Sequence, residues 1–318
     1  MIRLVGAVDI GATKTLVGVT PYPIEAWPAR GPLIRFDTPP DPAACVERIG
    51  DALERLVGSE RGALAAVGCG TPGPLDRDRG VIVHSPNQAW RDVPIGPWLS
   101  ERVGAPVVID DDARTGALGE AVLGAGAGAD PVVYLTISSG IGSGIVLGGT
   151  LVAGAHGLAG EIGHLVVNRE GPRCACGNRG CVEAFASGGG IARRARLAWP
   201  HATTADGRPA PRSAADVFRA ARRGDPEARR LTDEASWALA LGFASLAAVL
   251  DPGVIVVGGS VGLAQRGFVQ RAAALAGRHV MRESAVGLRV TRAALGGASV
   301  LAGAALLAGH RASETSMP

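Results

Sequence analysis

A histidine and three cysteines between residues 161 and 183 have the spacing of metal ligands. His164 is followed by Cys174, Cys176 and Cys181, with glycines between the last two thiols. Three thiolates and one imidazole complete a tetrahedron, which is typical of a structural rather than a catalytic zinc site. Three of the five cysteines crowd into this segment, which in a reducing compartment favours metal binding over disulfides. We therefore predict a structural zinc on these four residues.

Two glutamates flank the predicted metal loop. Glu161 lies three residues before His164, and Glu183 lies two residues after Cys181. Carboxylates that a metal loop holds in place are suited to accepting hydrogen bonds from the hydroxyl groups of a sugar. The alternative interpretation is that both are solvent-exposed loop charges.

Three consecutive aspartates, Asp110, Asp111 and Asp112, stand between an apolar run at residues 106–109 and a predicted helix that ends near Leu123. Like charges this close repel unless a cation, a helix N-terminus or a ligand offsets them. Helix capping would use only one of the three. A second aspartate could accept the proton of an attacking hydroxyl, a role that typically contributes ~10²–10⁴-fold to a rate.

Two glycine-containing turns could bind phosphate groups. The first has the sequence Asp9-Ile-Gly11-Ala-Thr13-Lys14, where Lys14 is the only lysine of the chain. Gly11 allows the backbone to approach an anion, Thr13 and Lys14 supply donors, and Asp9 could hold Mg²⁺ through water. No P-loop pattern is present, which disfavours a P-loop nucleoside triphosphatase.

The second turn is Ser138-Ser139-Gly140-Ile141-Gly142-Ser143-Gly144, in which glycines alternate with hydroxyl side chains. It could hold the other side of a triphosphate. An ordinary hairpin tip is the alternative for either turn taken alone, and two such turns in one chain weaken that alternative.

The elements that must position these residues are short strands and helices. Hydrophobic spacing predicts hairpins over 4–19 and 131–147, strands over 64–67 and 254–257, and helices over 42–58, 213–250 with a break at 224–226, and 298–308. This mixture indicates an α/β protein with two duplicated domains and a cleft between them. We place residues 1–122 in the first domain, together with a C-terminal helix at about 297–318, and residues 123–296 in the second.

Composition excludes several function classes. The formal net charge is only +3 and the arginines are spread along the chain, so we expect no nucleic-acid partner. The N-terminus lacks the long apolar region of a secretion signal, and no run of about 18 apolar residues predicts a membrane span. We therefore expect a cytoplasmic protein with no membrane partner.

The chain resembles the ROK family of sugar kinases and related repressors nearly from end to end. The similarity is carried by DIGATK, GTPGPLD, SPNQAW, DDDARTGALGE, SSGIGSG, GLAGEIGH, CACGNRGCVE and VVGGSVG. The resemblance implies an actin-like, hexokinase-type ATPase fold with its active site in the cleft between two α/β domains. It also implies ATP and Mg²⁺ as cofactors and structural Zn²⁺ on the four residues named above.

The resemblance assigns roles residue by residue. It implies that Asp112 is the catalytic base. The residues that it implies for sugar binding are Asn87, Asp111, Glu161, His164 and Glu183. Those that it implies for the phosphates of ATP are Asp9, Gly11, Thr13, Lys14, Ser139, Gly140 and Gly142. Those that it implies for the adenosine side are Gly258 and Gly259.

The chain departs from the family pattern at several of these positions. Ala12 replaces a second glycine, Asp111 replaces an asparagine, and Ser138-Ser139 replaces Gly-Thr. An ionised Asp111 accepts hydrogen bonds but cannot donate them, so the choice of sugar could differ. Arg114 also replaces an asparagine, which brings a positive charge next to the candidate base.

The resemblance leads us to expect a kinase acting on the 6-hydroxyl of a hexose. The stretch GCVEAFASGGGIA looks most like the N-acetylmannosamine kinases of the family, with glucose as the alternative substrate. A catalytically silent sugar sensor is a further alternative, whereas a zinc hydrolase is disfavoured because the predicted metal set has no open position. No helix-turn-helix precedes the first strand, so we do not expect the DNA binding of family repressors. A homodimer or homotetramer is expected.

Overall fold

A computed structural model describes residues 3–24, 32–58, 64–85, 88–201, 203–204 and 207–314. Its contacts divide the chain into two compact units: one spans residues 1–128, 149–159 and 297–318, and the other spans 129–148 and 160–296. The sequence analysis places boundaries near residues 122 and 297, whereas in the structure residues 149–159 also group with the first unit. The division into functional domains stays a prediction.

The first unit is built on a mixed five-stranded sheet, in which one strand runs opposite to the other four. The strands, in spatial order, are β3 (Ile34–Asp37), β2 (Lys14–Tyr22), β1 (Arg3–Ile10), β4 (Leu64–Thr71) and β8 (Val107–Asp111). β1, β4 and β8 run parallel to one another. Their carboxyl ends therefore meet at one edge of the sheet, where parallel α/β sheets place functional side chains.

Helices cover this sheet, and a small second sheet adjoins it. The helices are α1 (Pro42–Val57), α2 (Ile95–Val103), α3 (Asp112–Leu123) and α11 (Ser299–Glu314). The small antiparallel sheet consists of β5 (Leu75–Asp76), β6 (Val81–His84) and β7 (Arg91–Val93). As predicted, α1 begins after Asp41, whose side chain accepts the backbone N–H groups of Ala43 and Ala44.

The second unit repeats the pattern of a mixed sheet with helices. Its strands, in spatial order, are β10 (Ile141–Leu147), β9 (Val132–Ile137), β12 (Val254–Gly258) and β13 (Val290–Arg292). β10 is antiparallel to β9, and β12 is parallel to both β9 and β13. The helices are α4 (Val182–Ala186), α5 (Gly188–Ala198), α6 (Ala214–Arg222), α7 (Pro226–Leu250), α8 (Ser260–Ala264), α9 (Arg266–Ala276) and α10 (Arg282–Gly287). The predicted α/β class is confirmed.

The second glycine-rich turn is shorter than the sequence predicts. β10 begins at Ile141 rather than Ile145, so Gly142 and Gly144 lie in the strand and pair with Thr136 and Tyr134. The strand ladder continues through these two glycines, so the predicted turn over residues 138–144 is divided between a short turn and the start of a strand. Only residues 138–140 form the turn.

The helical region 213–250 is divided as predicted. Asp225 caps α7 by accepting the backbone N–H of Ala228, and Pro226 is the first residue of that helix. Among the described residues, α7 is the one helix long and apolar enough to cross a membrane by length and composition alone. A core helix passes the same test, and 56% of its most apolar stretch is buried within the protein.

Candidate active site and metal centre

Asp9 and Asp110 share one edge of the sheet in the first unit. In the strand register Asp9 of β1 lies beside Gly70 of β4, and Gly70 lies beside Asp110 of β8. The strand pairing thus brings the first glycine-containing turn and the aspartate run, which are about 100 residues apart in sequence, to the same edge.

The three consecutive aspartates have different partners. Asp111 is the N-cap of α3, and its Oδ1 accepts the backbone N–H groups of Ala113 at 3.0 Å and Arg114 at 3.3 Å. Asp110 is buried and forms an ion pair with Arg114. Asp112 is the half-buried first residue of α3. Capping therefore uses one carboxylate, as expected, and a second is neutralised by arginine.

The predicted sugar-binding role of Asp111 has to be compatible with its cap. One of its oxygens serves the helix N-terminus, so any sugar hydroxyl would share this carboxylate with two backbone amides. The carbonyl of an asparagine would accept the same two N–H groups. A carboxylate is additionally favoured at a helix N-terminus by the helix dipole.

The ion pair between Arg114 and Asp110 was missed by the sequence analysis, which put the positive charge of Arg114 next to Asp112. The Nε of Arg114 donates to Asp110 Oδ1 at 2.7 Å, and Arg77 Nη1 lies 3.4 Å from Asp110 Oδ2. The available signal was the opposite charge four residues apart across a helix start. The guanidinium therefore acts on Asp110.

Asp9 lies at the end of β1, in a position where a carboxylate is costly. Burial raises the pKa of Asp9 from 3.8 to about 7, because desolvation disfavours the charged form. A cation or a hydrogen-bond donor near this carboxyl group would favour its ionised form. This is the electrostatic behaviour expected of a group that works beside a metal–phosphate complex.

The turn that follows Asp9 is tightly folded. The Gly11 N–H donates to the Lys14 carbonyl at 2.9 Å, and a side chain on Gly11 would place its Cβ 2.8 Å from that oxygen. The Gly11 carbonyl accepts the hydroxyl of Thr38 at 2.8 Å and the amide of Gln88 at 3.4 Å. Thr13 and Lys14 are exposed.

Gln88 and Thr38 are supports of the first turn that the sequence analysis did not single out. Gln88 follows the predicted sugar-binding residue Asn87, which lies outside the described residues. Ser85 donates to Gln88 Oε1 at 2.6 Å, so Gln88 links Ser85 to the Gly11 carbonyl of the first turn.

The second turn is held by the N-terminus of α5. The carbonyls of Ser138 and Ser139 accept the backbone N–H groups of Gly188 at 2.7 Å and Gly189 at 2.9 Å. A Cβ on either glycine would lie 2.7 Å from these carbonyl oxygens. The glycines at the start of α5 are therefore needed for the close approach of the turn.

The glycines at the end of β12 adjoin the same turn. Gly259 has a φ of +79°, and a Cβ there would lie 2.4 Å from the Ile137 carbonyl oxygen, so only glycine fits. Gly258 is buried against the ring of Tyr134. The hydroxyl of Ser260 lies 2.9 Å from that of Ser138. The segments predicted for the phosphates and for the adenosine are thus neighbours in this unit.

Glu183 links the second turn to the metal loop. Its Oε2 accepts the Ile141 N–H at 2.9 Å, and a Cβ on Gly140 would lie 2.8 Å from that oxygen. Its Oε1 lies 3.8 Å from the sulfur of Cys174. A predicted sugar-side carboxylate, a predicted phosphate turn and a candidate metal ligand therefore lie within contact of one another.

The four predicted metal ligands converge. The ligand atoms of His164, Cys174, Cys176 and Cys181 all lie within 4.8 Å of one another. The sulfurs of Cys176 and Cys181 are 3.7 Å apart, and Cys174 Sγ is 3.6 Å from His164 Nδ1. A tetrahedral zinc with Zn–S bonds of about 2.3 Å requires ligand separations of about 3.8 Å, so these residues fit that ion.

The thiols of this group differ in their tendency to ionise. Burial raises the pKa of Cys181, whereas the backbone N–H of Asn178 lowers the pKa of the exposed Cys176. His164 has Nδ1 on the sulfur cluster and Nε2 at 3.9 Å from Glu161 Oε2. This arrangement of a carboxylate behind a ligating histidine is common at metal sites. Glu161 itself is exposed.

Comparisons with known proteins identify relatives of the chain. A glucokinase of Thermotoga maritima is 39% identical over 61% of this chain and 63% of its own length, so the alignment spans less than two thirds of that relative. A glucokinase of Streptomyces coelicolor is 37% identical over 80% of this chain and 81% of its own length. A xylose repressor of Bacillus subtilis is 42% identical over 39% of this chain and 32% of its own length.

Solved structures share the fold over nearly the whole chain. A ROK hexokinase from Thermus thermophilus matches 98% of this chain and 100% of its own with a TM-score of 0.85 and 36% identity. A ROK glucokinase from Streptomyces griseus, in complex with glucose and AMPPNP, matches 96% of this chain and 99% of its own with a TM-score of 0.72 and 33% identity. A putative N-acetylmannosamine kinase from Listeria monocytogenes, at 21% identity and a TM-score of 0.77 over 98% of this chain and 100% of its own, shares the fold alone.

These likenesses confirm the hexokinase-type fold expected from the sequence. The ROK family model matches residues 5–311, which include both units and all of the residues discussed above. The chain therefore belongs to the ROK family.

Proposed function

We propose that this protein is an ATP-dependent sugar kinase that transfers a phosphate to the 6-hydroxyl of glucose. The observation that carries the proposal is the similarity, at 33–39% identity, to glucokinases and a hexokinase of one family. The sequence analysis favoured N-acetylmannosamine, but the relative with that name is only 21% identical. Glucose is therefore the better-supported acceptor, and N-acetylmannosamine is the second candidate.

In this proposal Asp112 accepts the proton of the attacking hydroxyl. Its place on the first turn of α3, with Asp111 used as the cap and Asp110 paired with arginine, supports the assignment. Sugar hydroxyls bind to Glu161, His164, Glu183, Asp111 and Asn87. Phosphoryl transfer then depends on positioning and on neutralising the charge of the phosphates.

The nucleotide is proposed to bind at the two turns. The residues assigned to its phosphates are Asp9, Gly11, Thr13, Lys14, Ser139, Gly140 and Gly142, and those assigned to the adenosine are Gly258 and Gly259. Mg²⁺ supplies charge neutralisation of the phosphates when bound, and Asp9 is the residue of this turn that would interact with it through water.

A structural zinc is part of the proposal. The four ligand atoms match the separations of a closed tetrahedral site. The metal loop precedes α4, whose first turn carries Glu183. Zinc would thereby stabilise the loop that orients the predicted sugar-binding residues.

A coupled assay of ADP release over a panel of hexoses tests this function. The panel should contain glucose, mannose, fructose, N-acetylglucosamine and N-acetylmannosamine. We expect the highest kcat/KM with glucose. A higher value with N-acetylmannosamine would overturn the choice of glucose and leave the kinase activity standing.

A sugar sensor without kinase activity is the second candidate function, favoured by the 42% identity to a xylose repressor over part of the chain. The same assay separates the two. No ADP release with any sugar, together with a sugar-dependent rise in melting temperature, would favour the sensor.

The cellular setting follows from the same chemistry. ATP as cosubstrate and thiolates as metal ligands suit a reducing cytoplasm. A homodimer or homotetramer remains part of the proposal, and light scattering of the purified protein measures it.

A further inference from the structure

Arg114 is a buried arginine in the first turn of α3. It is 3% exposed, although arginine is almost never fully buried unless it is paired. Burying a guanidinium is costly unless each of its N–H groups finds an acceptor. The contacts of this side chain therefore indicate what it does for the protein.

The guanidinium connects three segments of the first unit. Nε and Nη2 donate to the two carboxylate oxygens of Asp110 at 2.7 and 3.3 Å. Nη1 donates to the Val152 carbonyl at 2.6 Å. One side chain thus joins the end of β8, the start of α3 and the segment 149–159 that contains β11 (Thr150–Leu151). The three N–H donors of a lysine share one nitrogen, so lysine could not reach both carboxylate oxygens and the Val152 carbonyl in this geometry.

The same network fixes the residues on both sides of Asp112. Asp110 Oδ1 also accepts the N–H of Asp111 at 2.8 Å, and Asp111 Oδ1 accepts the N–H groups of Ala113 and Arg114. The backbone that carries Asp112 is held from its preceding and its following residues. A general base must be held close to its productive geometry, because a misplacement of about 1 Å can cost ~10²-fold in rate.

We propose that Arg114 is a positioning residue for the kinase reaction, which orients Asp112 by clamping Asp110 and the Val152 carbonyl across the β8–α3 junction. The inference rests on the proposed function, because Asp112 acts as a base only in that reaction. Arg114 acts through other residues and contacts neither substrate in this assignment.

The test compares Arg114→Gln and Arg114→Lys with the wild-type protein, using the hexose that the panel identifies. Gln removes the charge and the fork of donors, so kcat should fall roughly 10- to 100-fold while KM for sugar and for ATP stays within about threefold. Lys keeps the charge but has all of its donors on one nitrogen, so its kcat should be intermediate. A wild-type kcat in folded Arg114→Gln would overturn the proposal.

Arg77→Gln is the matched control. Arg77 contacts the same carboxylate of Asp110, but only at 3.4 Å, and its side chain is 32% exposed. Since it has no bond to the segment 149–159 among its described hydrogen bonds, its kcat should stay within about threefold of the wild type. An equal loss of kcat in both glutamine variants would contradict a specific role for Arg114.

The double variant Asp110→Asn/Arg114→Gln separates positioning from stability. Removing both charges leaves no buried charge without a partner, so the melting temperature should recover relative to Arg114→Gln. Without the clamp kcat should stay low, and recovery of kcat together with the melting temperature would reduce Arg114 to a structural role. If Arg114→Gln does not fold, Arg114→Lys and the double variant decide in the same way.

Failure of this inference is distinguishable from failure of the proposed function. A wild-type protein that phosphorylates no sugar removes the function itself. An active wild-type protein that Asp112→Asn inactivates, but in which Arg114→Gln has no effect, removes only the role of Arg114.

Discussion

At the scale of single residues, Asp112 carries the strongest mechanistic prediction. Asp112→Asn keeps the size and the helix position of the side chain but removes its ability to accept a proton. We expect kcat to fall ~10²–10⁴-fold, the range that a positioned base typically contributes. Sugar should still raise the melting temperature, because binding does not require the proton transfer.

The exposed Asp78 provides the control for this change. Asp78→Asn makes the same chemical replacement in the same unit and should leave kcat near the wild-type value. Activity of Asp112→Asn at the level of Asp78→Asn would remove Asp112 from its assigned role.

Asp9 leads to a prediction about stability and pH. Burial raises the pKa of this carboxyl group from its ordinary value of 3.8 to about 7 in the folded protein, so the folded state holds the proton more tightly than the unfolded chain. The stability that the protonated form confers is complete below pH 4 and is lost as the pH rises through 7. Asp9→Asn should therefore match the wild type at pH 4 and exceed it at pH 8, by on the order of a few kcal/mol in the free energy of unfolding.

Urea denaturation without ligands at pH 4 and pH 8 measures this difference. Asp37→Asn, a change at an exposed aspartate in β3, controls for the loss of one charge. A stability difference between Asp9→Asn and the wild type that is the same at both pH values would show that burial of Asp9 is not the cause.

The sequence pointed to the aspartate run but could not assign its members. Asp111 as the cap follows from its place before a helix, whereas the pairing of Asp110 depends on the arginine side chains of Arg114 and Arg77 folding back onto it. Tertiary contacts determine which of the neighbouring carboxylates pairs with arginine, and this cannot be predicted from the spacing of the residues. The roles of these residues in catalysis stay predictions.

At the scale of elements, the metal loop has a prediction of its own. Cys176 is the exposed member of the ligand set, so Cys176→Ser should not disturb the core. A hydroxyl is a poor zinc ligand, so we expect less than one zinc per chain and a lower melting temperature, because the binding free energy of a structural zinc is also folding free energy. Atomic absorption of the purified protein measures the metal.

Cys45 serves as the control for this loss. It is fully buried in the core of the first unit, so Cys45→Ala removes a thiol outside the loop and should keep one zinc per chain. Equal zinc contents in the two variants would contradict the assignment of Cys176 as a ligand.

Elements were predictable where their ends are marked locally. The start of α1 at Asp41 and the break between α6 and α7 follow from capping and proline. α5 was missed because it opens with Gly188, Gly189 and Gly190, which are poor helix formers. Gly188 and Gly189 are needed because the turn at Ser138 and Ser139 approaches the helix too closely for side chains.

At the scale of the whole molecule, the first unit is assembled from segments that lie far apart in the sequence. The five-stranded sheet of the first unit draws its strands from residues 3–111, whereas the unit's last helix, α11, comes from residues 299–314. Its sheet is therefore covered by a helix that the chain reaches only after passing through the second unit. Hydrophobic periodicity predicted the final helix. The sequence does not indicate, however, that this helix packs against the glycines of β4.

Gly68 in β4 tests this packing. A Cβ at this position would lie 1.8 Å from the Ala304 carbonyl oxygen of α11, and the obstacle is backbone. Gly68→Ala must therefore displace α11 from the sheet, and we expect the free energy of unfolding to fall by about 1–3 kcal/mol or more. Gly267→Ala, in α9, meets nothing within 4 Å and should be neutral or slightly stabilising because alanine favours helix.

Hydrogen exchange measured on both variants should rise in β1, β4, α3 and α11 for Gly68→Ala alone, since those elements share the packing with α11. Unchanged exchange in these elements, with Gly68→Ala as stable as Gly267→Ala, would mean that α11 does not hold the first unit together in this way.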